Sequence, residues 1–90
     1  MLKNILKRDG TYKEFVSYKV NNAIKKAFEN ENTTYDPSVF FDVLKNIENK
    51  NTVSTKDIQE LIEKELYKRK YFNVMHSFVL YSFLTKSYKF

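Results

Sequence analysis

The sequence predicts an α+β fold, a small hairpin-based sheet against four helices, and three observations point there. A turn-forming Asp9-Gly10 pair separates two short strand-like stretches within the first sixteen residues. Apolar residues then recur at helical spacing in four successive segments. One Gly and one Pro in 90 residues leave few places for tight turns, so the regular elements must be long. The chain reads as a single domain, 1–90. At this length it buries roughly 60–65% of the surface its unfolded form exposes, enough for one core.

Each element follows from local pattern. Ile5-Leu6-Lys7 and Tyr12-Lys13-Glu14-Phe15-Val16 form the hairpin, with Asp9-Gly10 supplying the positive φ of its turn. Ser17 is the expected N-cap of the first helix, whose apolar face is Val20, Ala23, Ile24, Ala27 and Phe28 and whose end falls near Glu31. Residues 30–35 form a polar loop. Asp36-Pro37 restarts a helix, with Asp as cap and Pro at the first helical position. Its apolar face is Val39, Phe40, Val43, Leu44 and Ile47, and Asn49-Lys50-Asn51 ends it. Thr52-Val53 is too short to stand alone but can add an edge to the hairpin. Ser54 and Asp57 have the spacing of a capping box for a third helix carrying Ile58, Leu61, Ile62 and Leu66. The Lys-Arg-Lys run at 68–70 suits the negative end of that helix. A fourth helix begins near Phe72 with Val74, Met75, Phe78, Val79 and Phe83. It is apolar nearly all round and is therefore expected to be the central one.

The composition excludes several chemistries. With no Cys, disulfides, thiolate zinc sites and Cys nucleophiles are ruled out. One Gly cannot build a P-loop or a Rossmann turn. His76 is the only His, and on an apolar helix it reads as structural. No Ser or Thr has a nearby His–acid pair, and Glu60, Glu63 and Glu65 read as solvated helix face. The chain is therefore not expected to be an enzyme, and no metal site is expected. No apolar run is long enough for a membrane span or a signal peptide, so a cytoplasmic location and no membrane partner are expected. A net charge of +5 attracts phosphates in any form, but the cations are nearly all Lys and are spread along the chain.

One constellation remains: Lys7-Arg8-Asp9-Gly10, then Phe15, then Lys19-Val20, then Ser54-Thr55-Lys56-Asp57-Ile58-Gln59, and finally Phe78-Val79-Leu80-Tyr81. In order and spacing it resembles the ATP-cone, the nucleotide-sensing regulatory domain of ribonucleotide reductases. The resemblance covers nearly the whole chain. It implies a small sheet capping a four-helix bundle. It further implies ATP or dATP bound as effector with Mg2+, a partner reductase catalytic domain or subunit, and control of activity through subunit association. By resemblance, Lys7 and Arg8 lie near the phosphates and Lys19 is a second phosphate contact. Ile5 and Val20 wall the base, while Thr55 and Gln59 approach the nucleotide from the third helix. Two positions depart from the family pattern. Val16 stands where Asp or Asn is usual, and Ser82 where Arg is usual, with Lys86 one turn later as a substitute charge. These departures motivate an alternative, a cone that packs but no longer binds nucleotide. The other alternative is a nucleic-acid-binding module, disfavoured because most aromatics fall on apolar helix faces. The aromatic-rich end of the chain, from Phe72 to Phe90, exceeds what one bundle face can bury. It is expected to meet either another copy or a catalytic domain.

Overall fold

In the computed structural model the described residues are 4–6, 10–50 and 52–85. They form β1 (Asn4–Leu6), β2 (Tyr12–Glu14), α1 (Ser17–Asn30), α2 (Pro37–Glu48), β3 (Val53–Ser54), α3 (Thr55–Lys68) and α4 (Phe72–Thr85). The sheet order is β2-β1-β3. The hairpin pair is antiparallel, with Ile5 opposite Lys13 and Leu6 opposite Tyr12. β3 joins β1 in parallel, with Ile5 beside Val53 and Leu6 beside Ser54. Gly10 takes φ +86°, and a Cβ there would meet nothing within 4 Å. The backbone angle, not a lack of space, is what calls for glycine.

The helices pack in a ring: α1 on α2, α2 on α3, α3 on α4, and α4 back on α1. Short connections make neighbours run in opposite directions. β2 leads into α1 after two residues and β3 leads directly into α3, so both helices point their N-termini at the sheet. The sheet end therefore carries two positive helix-dipole ends.

Alternation decides which strand residues enter the core: Ile5 and Val53 are fully buried, while Asn4 is exposed. They join Val20, Ile24 and Phe28 of α1, Val39, Val43 and Ile47 of α2, Ile58, Ile62 and Leu66 of α3, and Val74 and Phe78 of α4 in one cluster. Each large side chain contributes about 1.5–3 kcal/mol by leaving water. Phe28 also receives two edge-on aromatic neighbours, Tyr35 at 5.8 Å and Tyr71 at 5.1 Å between ring centroids.

Three expectations need correction. The N-cap of α1 is Val16, in extended conformation, and Ser17 is already the first helical residue. The chain leaves β2 at Glu14 and packs Phe15 against the core, so it turns helical one residue earlier than the Ser signal suggests. Second, α4 is one side of the ring and not its centre. Val74 and Phe78 are buried, but Phe72, Val79, Leu80 and Tyr81 are exposed, because α1 and α3 cover only one side of the helix. Third, Glu65 is buried and ion-paired, not solvated. Glu63 is half-buried, and burial together with the neighbouring Glu60 charge raises its carboxyl pKa.

The end of the ring away from the sheet is tied by polar groups. Arg69, just past α3, pairs with Glu65 one turn back and with Asp42 on α2. Its Nε also donates to Ser38 Oγ at 3.3 Å. Asp36 caps α2 by accepting from Ser38 N at 3.0 Å, and it accepts from Tyr71 Oη at 2.9 Å. The Ser38 side chain, and after it the Tyr71 hydroxyl, hold the Asp36 carboxyl below its ordinary pKa against the opposing effect of burial. Two helix C-termini here close with the same pair of bonds. Thr33 N reaches Phe28 O and Asn32 N reaches Glu29 O after α1, while Tyr71 N reaches Leu66 O and Lys70 N reaches Tyr67 O after α3. This is the Schellman closure. The chain uses Asn32 (φ 49°) and Lys70 (φ 65°) where glycine is usual.

Candidate functional site

The candidate site lies at the sheet end, where α1 and α3 both begin, each directly after or within two residues of a strand. The parallel pairing of β1 with β3 sets Leu6 beside Ser54, the N-cap of α3, so the end of the first strand meets the start of that helix. Ser54 and Asp57 complete a capping box. Ser54 Oγ accepts from Asp57 N, and Asp57 Oδ2 accepts from Ser54 N, both at 3.0 Å.

Thr55 is the first residue of α3 and Gln59 lies one turn further along the same face. Both are buried, at 6% and 7% exposure. Gln59 Nε2 is the one buried side-chain polar atom among the described residues with no hydrogen-bond partner. A buried amide donor left unpaired costs about 1–3 kcal/mol, so such a group in a folded protein nearly always takes a partner, from the protein, from water or from a ligand.

On α1, Lys19 is half-buried in the first turn and its backbone N–H reaches Val16 O at 3.2 Å. No side chain caps α1, and its first turn has no acidic residue. The positive end of this helix is therefore neutralised by no group of its own. Val20, next in sequence, is fully buried, as is Ile5 in the central strand, and both belong to the core cluster. A ligand would reach either side chain only after the groups covering it move. Lys7, Arg8, Asp9 and Lys86 lie outside the described residues, as does the side chain of Ser82.

The structure buries Ile5, Val20, Thr55 and Gln59, places the first two in one core cluster, and leaves Lys19 partly accessible. Sequence reasoning did not foresee that the Gln59 Nε2 donor lacks a protein partner, because that depends on what α3 meets in space. Among the described residues no group of three or more His, Asp or Glu could hold a metal ion. Among those residues, too, no helix is long and apolar enough to cross a membrane.

Residues 3–87 match the sequence model of the ATP cone domain. The chain belongs to the ATP-cone family. An ATP-cone is a nucleotide-binding regulatory domain rather than a catalytic one, and the family binds ATP or dATP as effector. No curated protein matches the chain. In an ATP-cone, an uncapped helix start with a half-buried lysine, and an unpaired buried amide on the next helix to begin at the sheet, are complementary to a ligand that offers negative charge and hydrogen-bond acceptors.

Proposed function

We propose that this cone binds ATP or dATP, accompanied by Mg2+, at the sheet end, and that binding regulates a ribonucleotide reductase through subunit association. The observation that carries the reading is the orphaned Gln59 amide, buried one turn below Thr55 on a helix whose start adjoins β1. In this reading Gln59 donates to an acceptor on the nucleoside and Thr55 approaches the same group. Lys19, Lys7, Arg8 and Lys86 offset the charge of the triphosphate, and the amides of the uncapped α1 start add donors. Ile5 and Val20 wall the base once the covering groups shift. In this reading the nucleotide lies between the sheet and the bundle, and its binding changes the surface shown to a partner subunit.

Calorimetric titration with ATP, dATP and GTP, each with Mg2+, tests the proposal. Heat with the adenine nucleotides and little with GTP is expected. Lys19→Ala removes a charge-assisted contact of about 1.5–3 kcal/mol, so affinity falls roughly tenfold to a hundredfold. No heat and no thermal shift with any nucleotide would sink the reading.

Two observations favour a second reading, a cone that packs without ligand. Val16 offers no side-chain oxygen at the α1 cap, and Ile5 and Val20 have no exposed surface. That reading predicts silence in the same titration and recovery of binding in Val16→Asn. A nucleic-acid module is less well supported. The exposed aromatics do not form a single stacking platform: Tyr12 and Tyr18 are at the sheet end, while Tyr67 and Phe72 are at the other.

A further inference from the structure

Two polar groups of α3 stand one turn apart, and among the described residues neither has a partner. Gln59 Nε2 is buried with nothing to donate to. Glu63, four residues on, is half-buried, and no described residue donates a hydrogen bond to its carboxylate or forms an ion pair with it. Burial, and after it the like charge of Glu60, push the Glu63 pKa up. That is the mark of a carboxylate that has lost water and gained no donor. Side chains four residues apart on a helix are neighbours, with Cβ atoms about 5–6 Å apart, yet these two do not bond each other.

Thr55, Gln59, Glu63 and Tyr67 form one row of four-residue steps along α3. Glu65, on another side of the helix, is tied through Arg69 to Asp42 of α2. The row turns toward α4 instead, since the Tyr67 ring lies 5.4 Å from that of Phe72. α4 contains no Asp, Glu, Lys or Arg, so it brings no charge to answer Glu63. A carboxylate only accepts hydrogen bonds and an amide N–H only donates. A hydroxyl serves both at once, accepting from Gln59 and donating to Glu63. Two vicinal hydroxyls occupy both oxygens of the carboxylate, and acidic side chains hold ribose hydroxyls in dinucleotide sites by the same chemistry. Just over two turns of helix, about 12 Å, separate Glu63 from the positive start of α3. The phosphates are thus left to the helix starts and lysines, and the neutral sugar is the part of a nucleotide that suits the carboxylate.

We infer that Glu63, with Gln59, holds the ribose hydroxyls of the bound nucleotide and is the residue by which this cone tells ATP from dATP. The inference rests on the nucleotide reading above and adds to it the residue that senses the sugar. With ATP, both hydroxyls donate to the carboxylate. With dATP the 2′ position has no hydroxyl, and one carboxylate oxygen stays half-buried without a partner. A site built to bond a hydroxyl rejects the analogue lacking it for that reason. Were Glu63 instead reading the amino group of adenine, removal of a hydroxyl would change nothing.

The test is calorimetric titration of the 90-residue chain with ATP, dATP and 3′-deoxy-ATP, each with Mg2+. Each missing hydroxyl removes one hydrogen bond to a charged acceptor and should weaken binding roughly tenfold to a hundredfold relative to ATP. Glu63→Ala should bring ATP down to the affinity of dATP. Loss of a negative charge near the phosphates acts on both nucleotides alike, so the ratio of their affinities is the readout. Glu60→Ala removes the same charge from an exposed position on the same helix and should leave that ratio at its wild-type value. The three-nucleotide comparison on the unaltered chain needs no variant, so it stands even if Glu63→Ala fails to fold. Affinity for dATP or 3′-deoxy-ATP equal to or above that for ATP overturns the inference and leaves the nucleotide reading intact. So does a wild-type ratio in Glu63→Ala, or a Glu60→Ala that levels the ratio as well. Absence of binding by all three nucleotides overturns both.

Discussion

The two ends of the helix ring are built on opposite plans. At the end away from the sheet, polar groups find partners within the protein. Asp36 caps α2 and accepts from Tyr71, Arg69 ties Glu65 to Asp42, and two Schellman closures complete the helix ends. At the sheet end α3 is capped by its own Ser54 and Asp57, but no side chain caps α1, Lys19 sits half-buried in its first turn, and the Gln59 Nε2 donor is buried without a protein partner. One end is finished by the chain itself, and the other leaves donors and positive charge in place. In a nucleotide-binding regulatory domain that asymmetry is physically sensible. The closed end fixes the spacing of the helices, while the open end has polar groups whose satisfaction by a ligand adds directly to binding.

Four substitutions test the contrast. The largest effect is expected from Arg69→Ala. It leaves the Glu65 carboxylate, with only 3% of its side chain exposed, without its cation. Breaking a buried pair by removing one partner costs about 3–5 kcal/mol, and the 19% exposure of the Arg69 side chain places the loss near the low end. Urea denaturation would measure it. A loss below about 1 kcal/mol, as for a surface ion pair, would mean that the far end is not the structural anchor described here.

Gln59→Leu should act in the reverse direction on the free protein. Replacing an unpaired buried amide by an apolar group of similar size removes a desolvation cost of about 1–3 kcal/mol, so the ligand-free domain should gain roughly 1 kcal/mol while nucleotide binding weakens. A variant that gains stability and keeps full affinity would separate Gln59 from the ligand.

Val16→Asn supplies the oxygen that the α1 cap lacks, and should stabilise the free domain by about 1 kcal/mol. A change near zero would show that another group already serves the first-turn amides.

The smallest effect belongs to the finished end. Lys70 occupies the left-handed region at φ 65°, where a side chain costs roughly 1 kcal/mol that glycine avoids. Lys70→Gly should raise the thermal midpoint by a few degrees, as expected for a domain of this size, and leave nucleotide affinity unchanged. An effect on affinity would contradict the separation of the two ends.

The sequence by itself determined the elements and most of their ends. The Asp36-Pro37 start and the Ser54/Asp57 box work through bonds that close within two or three residues, so no distant group is needed to read them. The 3.6-residue rhythm of Val20, Ile24 and Phe28, and of Ile58, Ile62 and Leu66, marked the inner faces of α1 and α3 correctly. The same rhythm failed for α4, because a helix apolar on every side contains no information about which side its neighbours will cover. That was decided only when α1 and α3 closed on it. The tertiary structure alone also decided the partners of Arg69, 27 residues from Asp42, and of Tyr71, 35 residues from Asp36. It decided as well that the Gln59 amide would have none. Helical periodicity and capping depend on residues a turn apart, whereas burial and the pairing of a buried polar atom depend on every element that reaches it in space.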